Sequence, residues 1–116
     1  MRLTKDANKL RRMMCKTYVQ QVRNGKSQLE ARWFGNYENL ILSIPKLTKV
    51  DERDVRDWCL NLREAGIVEG EWWLMNFCDL RLTHQAIADW QNRGRDKVKI
   101  IYQFLVSILE KIKEAL

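Results

Sequence analysis

Three cysteines, Cys15, Cys59 and Cys78, and one histidine, His84, are the side chains of this 116-residue sequence best suited to bond-making chemistry. A thiolate binds zinc or attacks an electrophile, but a metal site needs its ligands at short, repeated spacings such as Cys-x-x-Cys. The three cysteines lie far apart and show no such spacing, so they fit neither a zinc site nor a closed disulfide set and read as reduced core thiols. His84 has no nucleophile motif or carboxylate pair to accompany it, and the chain carries no glycine-rich phosphate loop. No catalytic residue, metal or cofactor is therefore expected, and the sequence does not read as an enzyme.

Charge is the more informative signal. Lys and Arg number 21 against 15 Asp and Glu, for a formal +6. Residues 1–35 carry +7, residues 36–94 carry −3 and residues 95–116 carry +2. A basic balance attracts polyanions through long-range forces and counterion release, without specifying a site. The excess in the first third falls on Lys5, Lys9, Arg11, Arg12, Lys16 and Arg23, with Asp6 the acid among them. These residues are either the ordinary solvated face of a core helix or a nucleic-acid contact.

The elements that must position these side chains follow from periodicity and caps. Thr4 starts a helix whose Ala7, Leu10, Met14, Tyr18 and Val22 recur every three or four residues until Asn24-Gly25 stops it. Ser27-Gln28-Leu29-Glu30 has capping-box spacing and opens a second helix, bent or ended at Gly35. Asn36 restarts a short helix that Pro45 forbids to continue, and Asp51 caps a third helix with Val55, Trp58 or Cys59, and Leu62 inward, closed by Ala65-Gly66. The period then changes. Ile67–Glu69, Trp72–Leu74 and Asp79–Leu82 read as short strands of a small antiparallel hairpin or three-stranded sheet, with β structure confined to about residues 67–82. Thr83 caps a short helix ended by Asn92-Arg93-Gly94, and Asp96 caps a last helix running towards Leu116. No apolar stretch reaches the roughly 18 residues needed to span a bilayer, and the amino terminus lacks a signal-peptide run, so a cytoplasmic protein without membrane contact is expected.

Three helices followed by a hairpin is the order of a winged helix-turn-helix, and Leu62-Arg63-Glu64-Ala65-Gly66-Ile67-Val68 resembles the junction of its third helix and wing. Leu80-Arg81-Leu82-Thr83-His84-Gln85-Ala86-Ile87 resembles the end of its sheet and the next helix start. Leu3-Thr4-Lys5-Asp6-Ala7, Asn24-Gly25-Lys26-Ser27 and Phe34-Gly35 are also similar to a group of small uncharacterised winged-helix proteins of Gram-positive bacteria and their phages. The resemblance implies a mainly α fold with a small antiparallel sheet, a winged-helix domain over residues 1–94 and a long carboxy-terminal helix over 95–116. It further implies duplex DNA as a partner and a role in transcription regulation, with Lys49, Arg53 and Arg56 of the third helix meeting DNA. Residues 49–64 are net −1, so Lys5, Lys9, Arg12 and Lys16 are expected to supply supporting phosphate contacts. Arg53 and Arg56 should then lie on the exposed face of that helix.

Two further faces call for partners. Trp72 and Trp73 are neighbours on a strand, so one should face the core and the other offer a contact for a protein, or for single-stranded nucleic acid, unless it packs under the last helix. In the last helix Val98, Ile101, Leu105, Ile108, Ile112 and Ala115 follow heptad spacing, and further apolar residues widen the surface beyond one seam. A homodimer through Ile101, Leu105, Ile108 and Ile112 accounts for the excess, as does a core helix deeply embedded in a monomer. The rival to DNA binding is a winged-helix protein-interaction module that uses the acidic middle segment and the wing tryptophans.

Overall fold

Helix-forming and strand-forming residues sort into the order α1 (Lys5–Arg23), α2 (Gln28–Ala31), β1 (Trp33–Gly35), α3 (Tyr37–Ser43), a 3-10 turn (Pro45–Lys49), α4 (Glu52–Glu64), β2 (Val68–Trp73), β3 (Asn76–Leu82) and α5 (His84–Ala115). This is a computed structural model, which describes the backbone of residues 2–115 and the side chains of 2–93 and 101–115. The chain is mainly helical with one three-stranded antiparallel sheet, in the order β1-β3-β2.

The caps do what their chemistry dictates. Thr4 Oγ1 accepts from the Ala7 amide, Ser27 Oγ from Glu30, Asp51 Oδ1 from Arg53 and Thr83 Oγ1 from Ala86. Asn36 and Asn39 form a reciprocal capping box at the start of α3. α1 ends where Gly25 takes φ +97°, and the Lys26 amide reaches back to the Gln21 carbonyl.

The core joins the inner line of α1 (Ala7, Leu10, Met14, Tyr18) to Val55, Cys59 and Leu62 of α4 and to Phe34, Val68, Phe77, Leu80 and Leu82 of the sheet. Leu62 is fully buried, as its spacing predicts, whereas Trp58 is only half-buried at the edge of this cluster. Cys15 and Cys59 are buried among these side chains, and burial pushes their thiols up to about 11 and about 12. Cys78 is half-buried on β3, its thiol raised by desolvation and by the Glu71 carboxylate, to which it donates at 3.6 Å. At pH 8 a thiol reagent should label Cys78 first, though more slowly than a free thiol, and reach Cys15 and Cys59 only on unfolding. The folded state holds the two buried thiol protons beyond the ordinary value of 9.0, so stability should be level below about pH 9 and fall as pH climbs towards 11–12. Urea unfolding across this range checks the sign.

Four expectations change. β structure is not confined to residues 67–82, because Trp33–Gly35 form a third strand against Arg81 and Leu80. Three residues are too few for an alternating pattern, and the glycine that ends the strand resembles a helix stop. Strand β2 runs unbroken from Val68 to Trp73 and turns through Leu74-Met75 into β3, which begins at Asn76. Leu74 sits at φ +55°, a place normally held by Gly or Asn, so the usual turn signal is missing. The stop at Asn92-Arg93-Gly94 and the cap at Asp96 are not used, and α5 continues through both for 32 residues. A mid-helix glycine costs about 1 kcal/mol relative to alanine and does not by itself end a helix. The proposed boundary between residues 94 and 95 therefore falls inside one helix. Finally, Arg11 lies on the inner half of α1 and is buried, its Nε donating to Asn8 Oδ1, so it is not part of the outer basic face.

Candidate nucleic-acid interface

At 100° per residue, Lys5, Lys9, Arg12, Lys16 and Arg23 fall within a sector of about 60° on α1. All five are exposed, and the sector is opposite the buried line Ala7–Leu10–Met14–Tyr18. The stripe runs roughly 27 Å along the axis, and Asp6 stands about a quarter-turn away from it. None of the five belongs to an ion pair among the described residues. The domain thus presents a continuous row of cations whose charge is not spent internally.

The outer face of α4 is different. Glu52, Asp54, Asp57 and Glu64 are exposed on it together with Arg53 and Arg63. Arg53 is exposed as expected but bends back on its own cap, with Nη2 3.2 Å and Nε 3.3 Å from the Asp51 carboxylate. That pairing lowers the Asp51 pKa and raises that of Arg53. Arg56 corrects its expectation: its side chain is 15% exposed, and the guanidinium lies 5.0 Å over the Tyr37 ring and 5.6 Å over Phe77, with Glu52 at 3.6 Å. The position between Tyr37 of α3 and Phe77 of β3 gives a planar cation two aromatic faces to stack on. Arg63 lies over Trp72 at 5.2 Å. Lys49 is exposed at the end of the 3-10 turn. The structure therefore brings the α1 cations into one row and does not bring Arg53 and Arg56 together on one face.

The two hairpin tryptophans divide as alternation requires. Trp72 is half-buried with its ring centroid 5.2 Å from that of Phe77, whereas Trp73 is 68% exposed beside the open Leu74 and Met75. Glu71, Cys78 and Asp79 gather within 4.8 Å on the same hairpin. Within this group the Cys78 thiol donates to the Glu71 carboxylate.

Sequence reasoning missed a polar hub. Arg32, just before β1, donates from Nε to the Leu82 carbonyl at 3.0 Å, from Nη2 to Glu69 at 2.7 Å, and from Nη1 to His84 Nε2 at 2.7 Å. Arg81 shares the same Glu69 oxygen at 3.1 Å. The hub ties β1, β2, β3 and the start of α5 together, so His84 acts here as an acceptor that orients Arg32. Long-range pairing of this kind leaves no mark in local spacing. Leu29, Trp33 and Leu42, with Arg81 of the hub, line an open groove of about 540 Å³, and the three apolar side chains are themselves exposed.

Ile101, Leu105, Ile108 and Ile112 of α5 are 60, 53, 39 and 52% exposed, so this helix is not embedded in the core of a monomer. Among the described residues no helix is long and apolar enough to cross a membrane. Comparison of the chain with protein-family models, with curated proteins and with solved structures found no match.

Proposed function

We propose that the chain is a winged-helix protein that binds duplex DNA chiefly through its backbone. The observation that carries this reading is the α1 stripe, five exposed cations with no ion-pair partner among the described residues. Apart from the one-turn helix α2 between α1 and β1, the element order α1-α2-β1-α3-α4-β2-β3 and the sheet order β1-β3-β2 support the winged-helix part, with α4 in the place of the recognition helix and β2-β3 as the wing. Phosphate contacts position a protein without reading sequence, and base contacts specify it. With Arg56 stacked inward, Arg53 held by Asp51 and four acids exposed on α4, base reading is weak, and the binding is expected to be sequence-tolerant.

Fluorescence-anisotropy titration of two unrelated duplexes at low salt tests this. The expected result is binding of both within about threefold of each other, changed little by Arg53→Ala, because each lost base contact would carry about 1–3 kcal/mol of discrimination only if it read a base. Absence of binding at low salt rejects the reading.

A second reading has its own observation. The acidic face of α4, the exposed Trp73 at the wing and the Leu29–Trp33–Leu42 groove suit a protein-interaction module, since an exposed aromatic beside polar residues is the usual anchor of an interface. Loss of a partner on Trp73→Ala with no DNA binding by the parent chain would favour it.

A further inference from the structure

The distal half of α5 carries more exposed apolar surface than a seam between two helices covers. Setting Leu105 and Ile112 at heptad position a places Ile101 and Ile108 at d, Tyr102 and Leu109 at e, and Phe104 at g. All seven side chains are between 39 and 68% exposed. At 100° per residue the apolar residues from Phe104 round to Val106 occupy an arc of about 200°, roughly twice the stripe of an ordinary amphipathic helix. Together they expose on the order of 800 Å², the area one partner contributes to a standard stable interface and more than single chains usually leave open.

We propose that α5 assembles this protein as a four-helix bundle of four copies of the chain. Two-stranded coils favour β-branched residues at a with Leu at d, whereas Leu at a with Ile at d favours larger bundles. Leu105 with Ile108 has that second arrangement, and Ile112 with Ile108 puts isoleucine at both a and d, which also favours more than two strands. Apolar residues at e and g point the same way. In a pair Tyr102, Phe104 and Leu109 stay largely in water, and in a larger bundle they face neighbouring helices. Charge agrees with self-association. Over residues 101–116, Glu110 and Glu114 balance Lys111 and Lys113, so identical helices do not repel, and the segment lacks the basic face that draws an amphipathic helix to anionic lipid. This inference does not rest on DNA binding, although four copies would carry four α1 stripes.

Sedimentation equilibrium of the intact chain at micromolar concentration reads the number directly, and the expected mass is that of four chains. Exchanging the layer residues, Leu105→Ile with Ile108→Leu, should shift the mass towards two chains, as should Phe104→Lys with Leu109→Lys. Ile108→Asp should give single chains whose near-ultraviolet tryptophan signal matches the parent, which separates lost assembly from lost folding. A parent mass of one or two chains, or an exchange variant that remains at four, overturns the proposal. So does a parent that is monomeric in solution yet co-sediments with phosphatidylserine vesicles.

Discussion

Replacing Lys5, Lys9, Arg12, Lys16 and Arg23 together with glutamine is expected to weaken duplex DNA binding by about 10²–10³-fold near 0.1 M salt. Counterion release supplies most of the free energy of sequence-tolerant binding, and the five side chains form the continuous cationic row on the described surface. All five are exposed on the side of α1 away from its core contacts, so the fold should be left intact, each change altering stability by no more than about 0.5 kcal/mol. Single replacements should each weaken binding to unrelated sequences alike. Anisotropy titration of the parent and the five-fold variant, with circular dichroism to confirm helix content, measures both effects. An unchanged affinity in a folded variant would remove α1 from the interface.

The largest expected effect on stability comes from a single added methyl group. Gly70→Ala should cost about 2–5 kcal/mol, a large fraction of the 5–15 kcal/mol that holds a domain together. Gly70 has φ +153°, a conformation that side chains oppose, and its Cβ would lie 2.9 Å from the Asp79 carbonyl oxygen and 3.0 Å from that of Cys78. Those carbonyls belong to the partner strand, at the point where the register slips between Glu69 and Glu71, and cannot swing away as a side chain would. Asp79 takes φ +53° in the same irregularity, which an aspartate tolerates. Gly25→Ala is the contrast. It meets only the left-handed backbone, with nothing within 4 Å, and should cost about 1–2 kcal/mol. Urea unfolding of the two variants, followed by tryptophan fluorescence, measures the difference.

What could be read from the sequence was local. The outer cations of α1 and its inner line follow from one periodicity, and Thr4, Asp51 and Thr83 announce their helices because a short polar side chain there satisfies a free amide. Gly25 and Gly66 announce the ends of two helices in the same way, through positive φ. What was hidden depends on partners distant in sequence. Strand β1 exists because β3 offers Arg81 and Leu80 to pair with, and the hairpin turn at Leu74 is set by the pairing of Trp73 with Asn76. Arg56 looks like a surface residue by its spacing from Arg53, yet Tyr37 and Phe77 arrive from α3 and β3 to cover it. Arg11 is misread by charge, since its place on the helix wheel already puts it on the inner half with Tyr18 and Cys15. Gly94 is misread by type: a glycine ends a helix only where the chain leaves the helical path after it, and α5 continues through Gly94 to Ala115.

The central claim is that the α1 cations, rather than α4, meet DNA, and the salt dependence of duplex affinity tests it most directly. Each phosphate neutralised contributes about −0.9 to the slope of log affinity against log salt. Five contacts give the parent a slope of about −4.5, which should become shallower by roughly one for each α1 cation removed and stay the same for Arg53→Gln. A slope near zero, or one that flattens with Arg53→Gln and not with the α1 variants, would contradict the account.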